Sequence, residues 1–208
     1  LKDKVQWVRN AVNGNRLLDI GSGTGHFLRA AKDGGFDGYG IEPDEDARAF
    51  AHKENHVRSC EQNELYNLEK GSVDVITMWH YLEHDYSPSE SLNYLKSISK
   101  PSTKLIIEVP NFDSHSRKKF KEHWAGWHTP RHTSLFSPKN LELLLNQNGW
   151  KVDNIFTYGT MDPYLLYWMS KMDKKGIAWD KNMQAEIPNF ILGMLSFLPK
   201  KLFQKSLS

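Results

Sequence analysis

The sequence predicts an α/β fold: a doubly wound, Rossmann-like parallel sheet with helices on both faces. Three observations carry that prediction. Short runs rich in Val, Ile and Leu alternate with amphipathic stretches along much of the 208 residues. The stretch LLDIGSGTGHFL, residues 17–28, reads as buried strand, glycine turn and helix. The next apolar run ends on an acid, Glu42, about 20 residues beyond the first glycine, where such folds place a carboxylate against a ribose.

Composition narrows the function classes. Lys and Arg number 27 against 25 acids, a net charge of +2, too small to imply a nucleic-acid or acidic partner. The clusters Arg117–Lys121 and Lys200–Lys201 read as solvated faces. Cys60 is the sole cysteine, so no internal disulfide forms, which fits a reducing, cytoplasmic setting. No apolar run approaches the length of a membrane span and no signal peptide is read. The chain starts at Leu1 rather than Met, as a trimmed N-terminus would.

The elements follow in order. Residues 1–13 form a short amphipathic helix on Val5, Val8 and Val12, stopped by Asn13-Gly14-Asn15. Strand 1 is Arg16–Ile20. A helix runs from Gly25 to Asp33 and stops at Gly34-Gly35. Strand 2 is Tyr39–Ile41, with Glu42 at its carboxyl end. A carboxylate there can accept from both hydroxyls of a diol; the alternative is an acid capping the helix over Asp44–Glu54, a task Asp44 can already perform. Strand 3 is Val57–Cys60 and strand 4 is Ser72–Trp79. A helix spans Ser87–Ser99, with Ser87 as N-cap and Pro88 in its first turn. Thr103–Val109 is a buried fifth strand, closed by Pro110-Asn111 at the ligand edge of the sheet. Residues 111–136 break the rhythm with a dense mixture of aromatic, His and basic residues. A helix over Ser137–Asn148, capped by Gly149, and a sixth strand over Trp150–Tyr158 complete the domain.

The glycine run resembles motif I of class I S-adenosylmethionine (SAM)-dependent methyltransferases, close to LDIGCGTG. In a dinucleotide-binding fingerprint the third glycine would stand where His26 stands, which weakens a nicotinamide oxidoreductase reading. GIEPD over residues 40–44 matches that family's segment after strand 2, and WHYLEH over residues 79–84 resembles the segment after strand 4 in quinone-biosynthesis-like and related small-molecule methyltransferases. The run W-x-x-W-H-x-P-R-H, residues 124–132, resembles their region after strand 5. The resemblance covers about residues 15–158 and implies a seven-stranded sheet. Its last strand, antiparallel and tucked between strands 5 and 6, is not found in this sequence.

The resemblance also implies roles. Gly21, Ser22, Gly23 and Gly25 cradle the methionine part of SAM, and Asp19 helps hold its amino group through the loop. Glu42, with Pro43 beside it, takes the ribose; Glu61 takes the adenine amino group, with a plain loop acid as the alternative; Met78 packs on adenine. His80 and His84 lie near the mouth of the pocket, although Glu83-His84 also reads as a helix start. Residues 111–136 form a partial lid in which Asn111, Trp124, Trp127 and Arg131 meet the acceptor, or in which Arg131 and His132 only pin the loop. His80 is the first candidate general base, followed by His128 and His132. A metal held by His123, His128 and His132 is disfavoured, because Pro130 interrupts the spacing and no acid or Cys completes the set. The expected organisation is a SAM-binding domain over residues 1–158 with its lid at 111–136, then a helical extension over 159–208. In that tail Phe190, Ile191, Met194, Leu195 and Leu198 share one helical face, followed by Pro199–Phe203. Packing on the domain, a homodimer or a peripheral membrane contact would each use it. The expected activity is methylation of a small molecule, as O-methylation of a sugar, phenol or quinone-like ring, with a non-catalytic SAM-binding module as the alternative.

Overall fold

A computed structural model describes residues 1–157, 163–177 and 186–195. The chain divides into two compact units: Leu1–Val109 with Glu142–Val152, and Pro110–Leu141 with Asp153–Ser208.

The first unit is built on five parallel strands in the order β3-β2-β1-β4-β5. The strands are β1 Arg16–Ile20, β2 Asp37–Ile41, β3 Arg58–Cys60, β4 Val75–Trp79 and β5 Lys104–Glu108. Helices α1 Lys2–Ala11, α2 His26–Asp33, α3 Glu45–Lys53 and α4 Pro88–Ile98 supply the crossovers and flanks. The chain winds outward from β1 to β3, then returns to β4 on the other side of β1. The connections leaving the carboxyl ends of β1 and β4 therefore run in opposite directions along the sheet, and the crevice at such a switch point is where open α/β sheets bind ligands.

Alternation along β1 sets the layers. Leu17 faces α1 and α2 in a cluster with Val8, Phe27, Leu28, Val75 and Trp79. Leu17, Leu18, Ile20, Ile76 and Met78 are fully or almost fully buried, and each such side chain contributes about 1.5–3 kcal/mol by leaving water. The C-terminal end of α6, Pro138–Gln147, is tied to α4: Trp150 Nε1 donates to the Leu92 carbonyl at 3.0 Å, and Ser89 Oγ donates to Asn148 Oδ1 at 2.7 Å.

Three local expectations need correction. No strand forms over residues 150–157; Tyr158 lies outside the described residues. With no seventh strand among the described residues, this segment has no ladder to join, and Ile155 and Phe156 stay exposed. The described sheet accordingly has five strands. The fifth strand is half-buried rather than buried, because among the described residues it pairs only with β4. Ser87 occupies the N-cap position of α4 without a side-chain cap; its N–H instead donates to Asp85 Oδ1 at 2.8 Å.

The second unit contains α5 His115–Phe120, short 3-10 turns at Lys121–His123 and Ala125–Trp127, and α7 Pro163–Lys174. Ser114 Oγ caps α5 by accepting from the Arg117 N–H. Tyr164, Trp168 and Met172 recur every fourth residue of α7 and form a small core with Phe190. Ser170 Oγ accepts the Ala125 N–H at 2.9 Å, and His123 pairs with Asp173 at 2.8 Å, so α7 anchors the turns before it. Residues 187–195 are helical. Phe190 packs inward, whereas Ile187, Ile191, Leu192 and Leu195 are exposed. Leu198, Pro199–Phe203 and Lys200–Lys201 lie outside the described residues. Among the described residues, no helix is long and apolar enough to cross a membrane.

Candidate active site

The crevice between β1 and β4 is framed by backbone before any side chain is added. Gly21 and Ser22 both donate to the Ile41 carbonyl, at 2.8 and 3.2 Å, which turns the chain back over the end of β2. The Gly25 N–H closes the turn on the Ser22 carbonyl at 3.0 Å. Gly25 has φ +80, and a Cβ there would fall 2.7 Å from Val57 Cγ2 and 2.9 Å from Ala51 Cβ. Only glycine lets α2 start that close to its neighbours. Gly23 is the contrast: its φ is +52, and a Cβ would meet nothing within 4 Å. Its bare backbone faces open space.

Two carboxylates stand under this loop. Glu42, 9% exposed, accepts the Gly23 N–H on Oε2 at 2.7 Å and the Asp44 N–H on Oε1 at 3.0 Å. It does not cap α3; Asp44 does, accepting from the Ala47 N–H at 2.8 Å. Each oxygen of Glu42 keeps a lone pair for a further donor. Asp19 is 1% exposed, paired in register with Thr77 of β4, and it accepts the Thr77 hydroxyl at 2.7 Å. Burial pushes its carboxyl up to about 7; the Thr77 hydroxyl and the nearby Lys4 ammonium oppose the shift, and Glu42 adds to it. Ser22 is buried and shares a hydrogen bond with Ser59 at 3.0 Å. Tyr81 lies against Gly21; burial foremost, then the charges of Asp85 and Glu42, pushes its phenol up to about 12.

The β4–β5 end carries side chains of another kind. His80 directly follows β4 with φ +56, and its N–H donates to the Glu108 carbonyl at 2.8 Å. Its Nδ1 lies 3.3 Å from Oε1 of Glu83, which is 1% exposed. Its Nε2 lies 3.9 Å from Glu108 Oε1. Glu108 Oε2 in turn pairs with Lys4 at 3.4 Å, and the Lys4 ammonium sits 4.3 Å above the Trp79 ring.

The sequence-derived residues fall into two sets. The first unit brings together Asp19, Gly21, Ser22, Gly23, Gly25, Glu42 and His80. Pro43 is exposed beside Glu42, its carbonyl accepting from Arg48 at 2.7 Å. Glu61 is exposed at the end of β3 and accepts from Asn63 at 2.9 Å. Met78 is wholly buried inside β4. The second unit holds the rest. Trp124 is buried in it, stacked edge-on against Trp127 and Phe112, and its Nε1 donates to Ser116 at 3.2 Å. Trp127 is half-buried and donates to the Lys121 carbonyl at 2.7 Å. Asn111 Oδ1 accepts the Asp113 N–H at 2.8 Å. His128 and Arg131 are exposed, and His132 Nδ1 bonds the Gly126 carbonyl at 2.8 Å. Sequence reasoning missed Thr77, Glu108 and Lys4. A threonine in the apolar run of strand 4 was the available signal for the first; the others depend on pairings between distant elements.

The donor set suits an adenosyl sulfonium. The glycine turn, with no Cβ at Gly23 and open space beside it, suits the close approach of the amino-acid end, Glu42 has lone pairs for a vicinal diol, and the buried Asp19 lies where a cation would be favoured. Comparison with known proteins agrees with that fit. A family model described as a methyltransferase domain matches residues 3–155. No curated protein matches the chain. Solved structures share the fold. A SAM-dependent methyltransferase from Archaeoglobus fulgidus is 22% identical, with 84% of this chain and 85% of that one covered and a TM-score of 0.60. Magnesium protoporphyrin IX methyltransferase from Synechocystis PCC 6803, with bound S-adenosylhomocysteine, is 18% identical, covers 76% and 75%, and has a TM-score of 0.60. A SAM-dependent methyltransferase from Aquifex aeolicus is 22% identical, covers 76% and 84%, and has a TM-score of 0.58.

Proposed function

The chain belongs to the methyltransferase-domain family and is a class I SAM-dependent enzyme, and from that premise we propose that it O-methylates a small molecule, a sugar, phenol or quinone-like ring, as a member of the quinone-biosynthesis-like group. The observation that carries this reading is the imidazole of His80, held between two carboxylates where β4 ends in the crevice. A hydroxyl acceptor needs such a base; a preformed oxyanion does not.

SAM, when bound, supplies a methyl group already activated on sulfonium. The residues of this chain supply alignment and proton handling. The Gly21–Gly25 turn and Glu42 hold the donor end through a side-chain-free backbone surface and a carboxylate, both braced beforehand by their own hydrogen bonds, which lowers the entropy lost in reaching a reactive geometry. Asp19 offers negative charge toward the cationic end. His80 takes the acceptor proton. Residues Asn111, Trp124, Trp127 and Arg131, with His128 and His132 as further bases, are proposed to select the acceptor; the fork of Arg131 suits a carboxylate, phosphate or sugar oxygen. The exposed Ile187, Ile191, Leu192 and Leu195 support a peripheral contact by the C-terminal segment.

The test is release of S-adenosylhomocysteine against a panel of sugars, phenols and quinone precursors. Turnover with a hydroxylated ring, lost in Arg131→Ala and in His80→Asn, is expected. Turnover confined to amines or thiols contradicts the O-methylation reading.

A further inference from the structure

We propose that Glu83 is a positioning residue that locks the His80 proton on Nδ1, leaving the Nε2 lone pair as the proton acceptor. The inference rests on the reading of His80 as the base and adds the device that readies it.

Glu83 belongs to the short 3-10 turn Leu82–His84. That turn begins two residues after His80 and carries the Glu83 side chain back to the His80 ring. The result is a carboxylate, 1% exposed, with Oε1 3.3 Å from His80 Nδ1. A carboxylate in such a place is expensive to bury unless its charge is answered. An ordinary structural acid on a loop would remain in water. An ionised carboxylate can only accept hydrogen bonds, and a neutral imidazole has one donor and one acceptor nitrogen. Nδ1 must therefore be the N–H.

The other nitrogen agrees. Nε2 is buried with no hydrogen-bond partner, and its nearest charged neighbour, Glu108 Oε1, is at 3.9 Å, beyond hydrogen-bonding reach. Glu108 is drawn toward Lys4 through its other oxygen. So Nε2 is available, and a carboxylate waits beside it. When an acceptor hydroxyl gives up its proton, the O–H electron pair stays on oxygen and the proton goes to Nε2. The resulting imidazolium then lies between Glu83 and Glu108, and it returns its proton to water. The left-handed backbone of His80, φ +56, is the strained conformation that turns the ring into this bracket, and strain of this kind gathers at functional sites.

The experiment reads the tautomer directly. The full chain is labelled with 15N-histidine, and long-range proton–nitrogen spectra are recorded where His80 is neutral; the His80→Asn spectrum identifies its signals among the nine histidines. Wild type is expected to show a protonated Nδ1 and a bare Nε2, the minority form of free imidazole. Glu83→Gln, with S-adenosylhomocysteine binding retained as the check on folding, is expected to move the population toward Nε2–H. A wild-type His80 already protonated on Nε2 overturns the proposal without any variant, and so does a Glu83→Gln spectrum unchanged at His80. Failure of the underlying reading looks different: His80→Asn then keeps full S-adenosylhomocysteine release while the wild-type tautomer remains as stated.

Discussion

The two halves of the crevice solve different problems with different materials. At the β1–β2 end the polar groups are satisfied by backbone: Glu42 is held by two N–H groups, and the glycine turn closes on main-chain carbonyls. At the β4–β5 end one backbone bond, from His80 to Glu108, is joined by contacts between side chains, and His80 Nε2 has no hydrogen-bond partner. The first half is a rigid mould suited to a ligand that never varies. The second keeps reactive groups close without committing them, as proton transfer requires. Within the mould, Asp19 is the exception, a buried acid answered by one hydroxyl.

Breaking the mould should give the largest effect. Gly25→Ala adds a Cβ at φ +80 against Val57 and Ala51, and strain plus overpacking should cost about 3–5 kcal/mol in urea unfolding. Gly23→Ala is the matched control. At φ +52 with open space around it, it should cost about 1–2 kcal/mol of stability yet weaken S-adenosylhomocysteine binding. Equal stability losses would erase the distinction between packing glycine and ligand-facing glycine.

Asp19 comes next. Its carboxyl rises from 3.8 unfolded to about 7 folded, so the folded state holds the proton more tightly. The contribution of Asp19 to stability is therefore fully present below pH 4, falls as pH rises through the interval, and is lost above about 7. The full swing is on the order of 4 kcal/mol. Asp19→Asn should flatten unfolding free energy between pH 4 and 7. Because a bound cation favours the ionised form, affinity for SAM should rise from pH 5.5 to pH 8 in wild type and stay level in Asp19→Asn.

Glu42→Ala should weaken SAM binding by about 1–3 kcal/mol by calorimetry, as expected for lost charged hydrogen bonds. The smallest effect belongs to Lys4. Its ion pair with Glu108 is mostly buried but long, at 3.4 Å, and Lys4→Ala should cost about 1 kcal/mol, measured by thermal unfolding.

What could be read from the sequence follows the same division. The mould is local: LDIGSGTG and GIEPD place Asp19, the glycines and Glu42 within short segments, and β1 runs over Arg16–Ile20 as the pattern predicts. Thr77 beneath Asp19, and Lys4 with Glu108, meet only through strand register and helix packing across 58 to 104 residues, for which periodicity has no signal. The sixth strand failed for a related reason. Residues 150–158 carry strand-forming side chains, but a strand exists only when a neighbour offers its ladder. Helix α7 falls within the helical extension read over residues 159–208, but its buried positions, Tyr164, Trp168 and Met172, were not legible because Leu165, Leu166, Tyr167 and Met169 between them are as apolar.

The central claim is that the glycine turn and Glu42 together grip the adenosyl cofactor. A crystal structure with S-adenosylhomocysteine tests it most directly. The account predicts both ribose hydroxyls within about 2.5–3.0 Å of the Glu42 carboxylate, with the amino-acid end over Gly23. An empty crevice, or a bound cofactor with Glu42 turned away from it, contradicts the account.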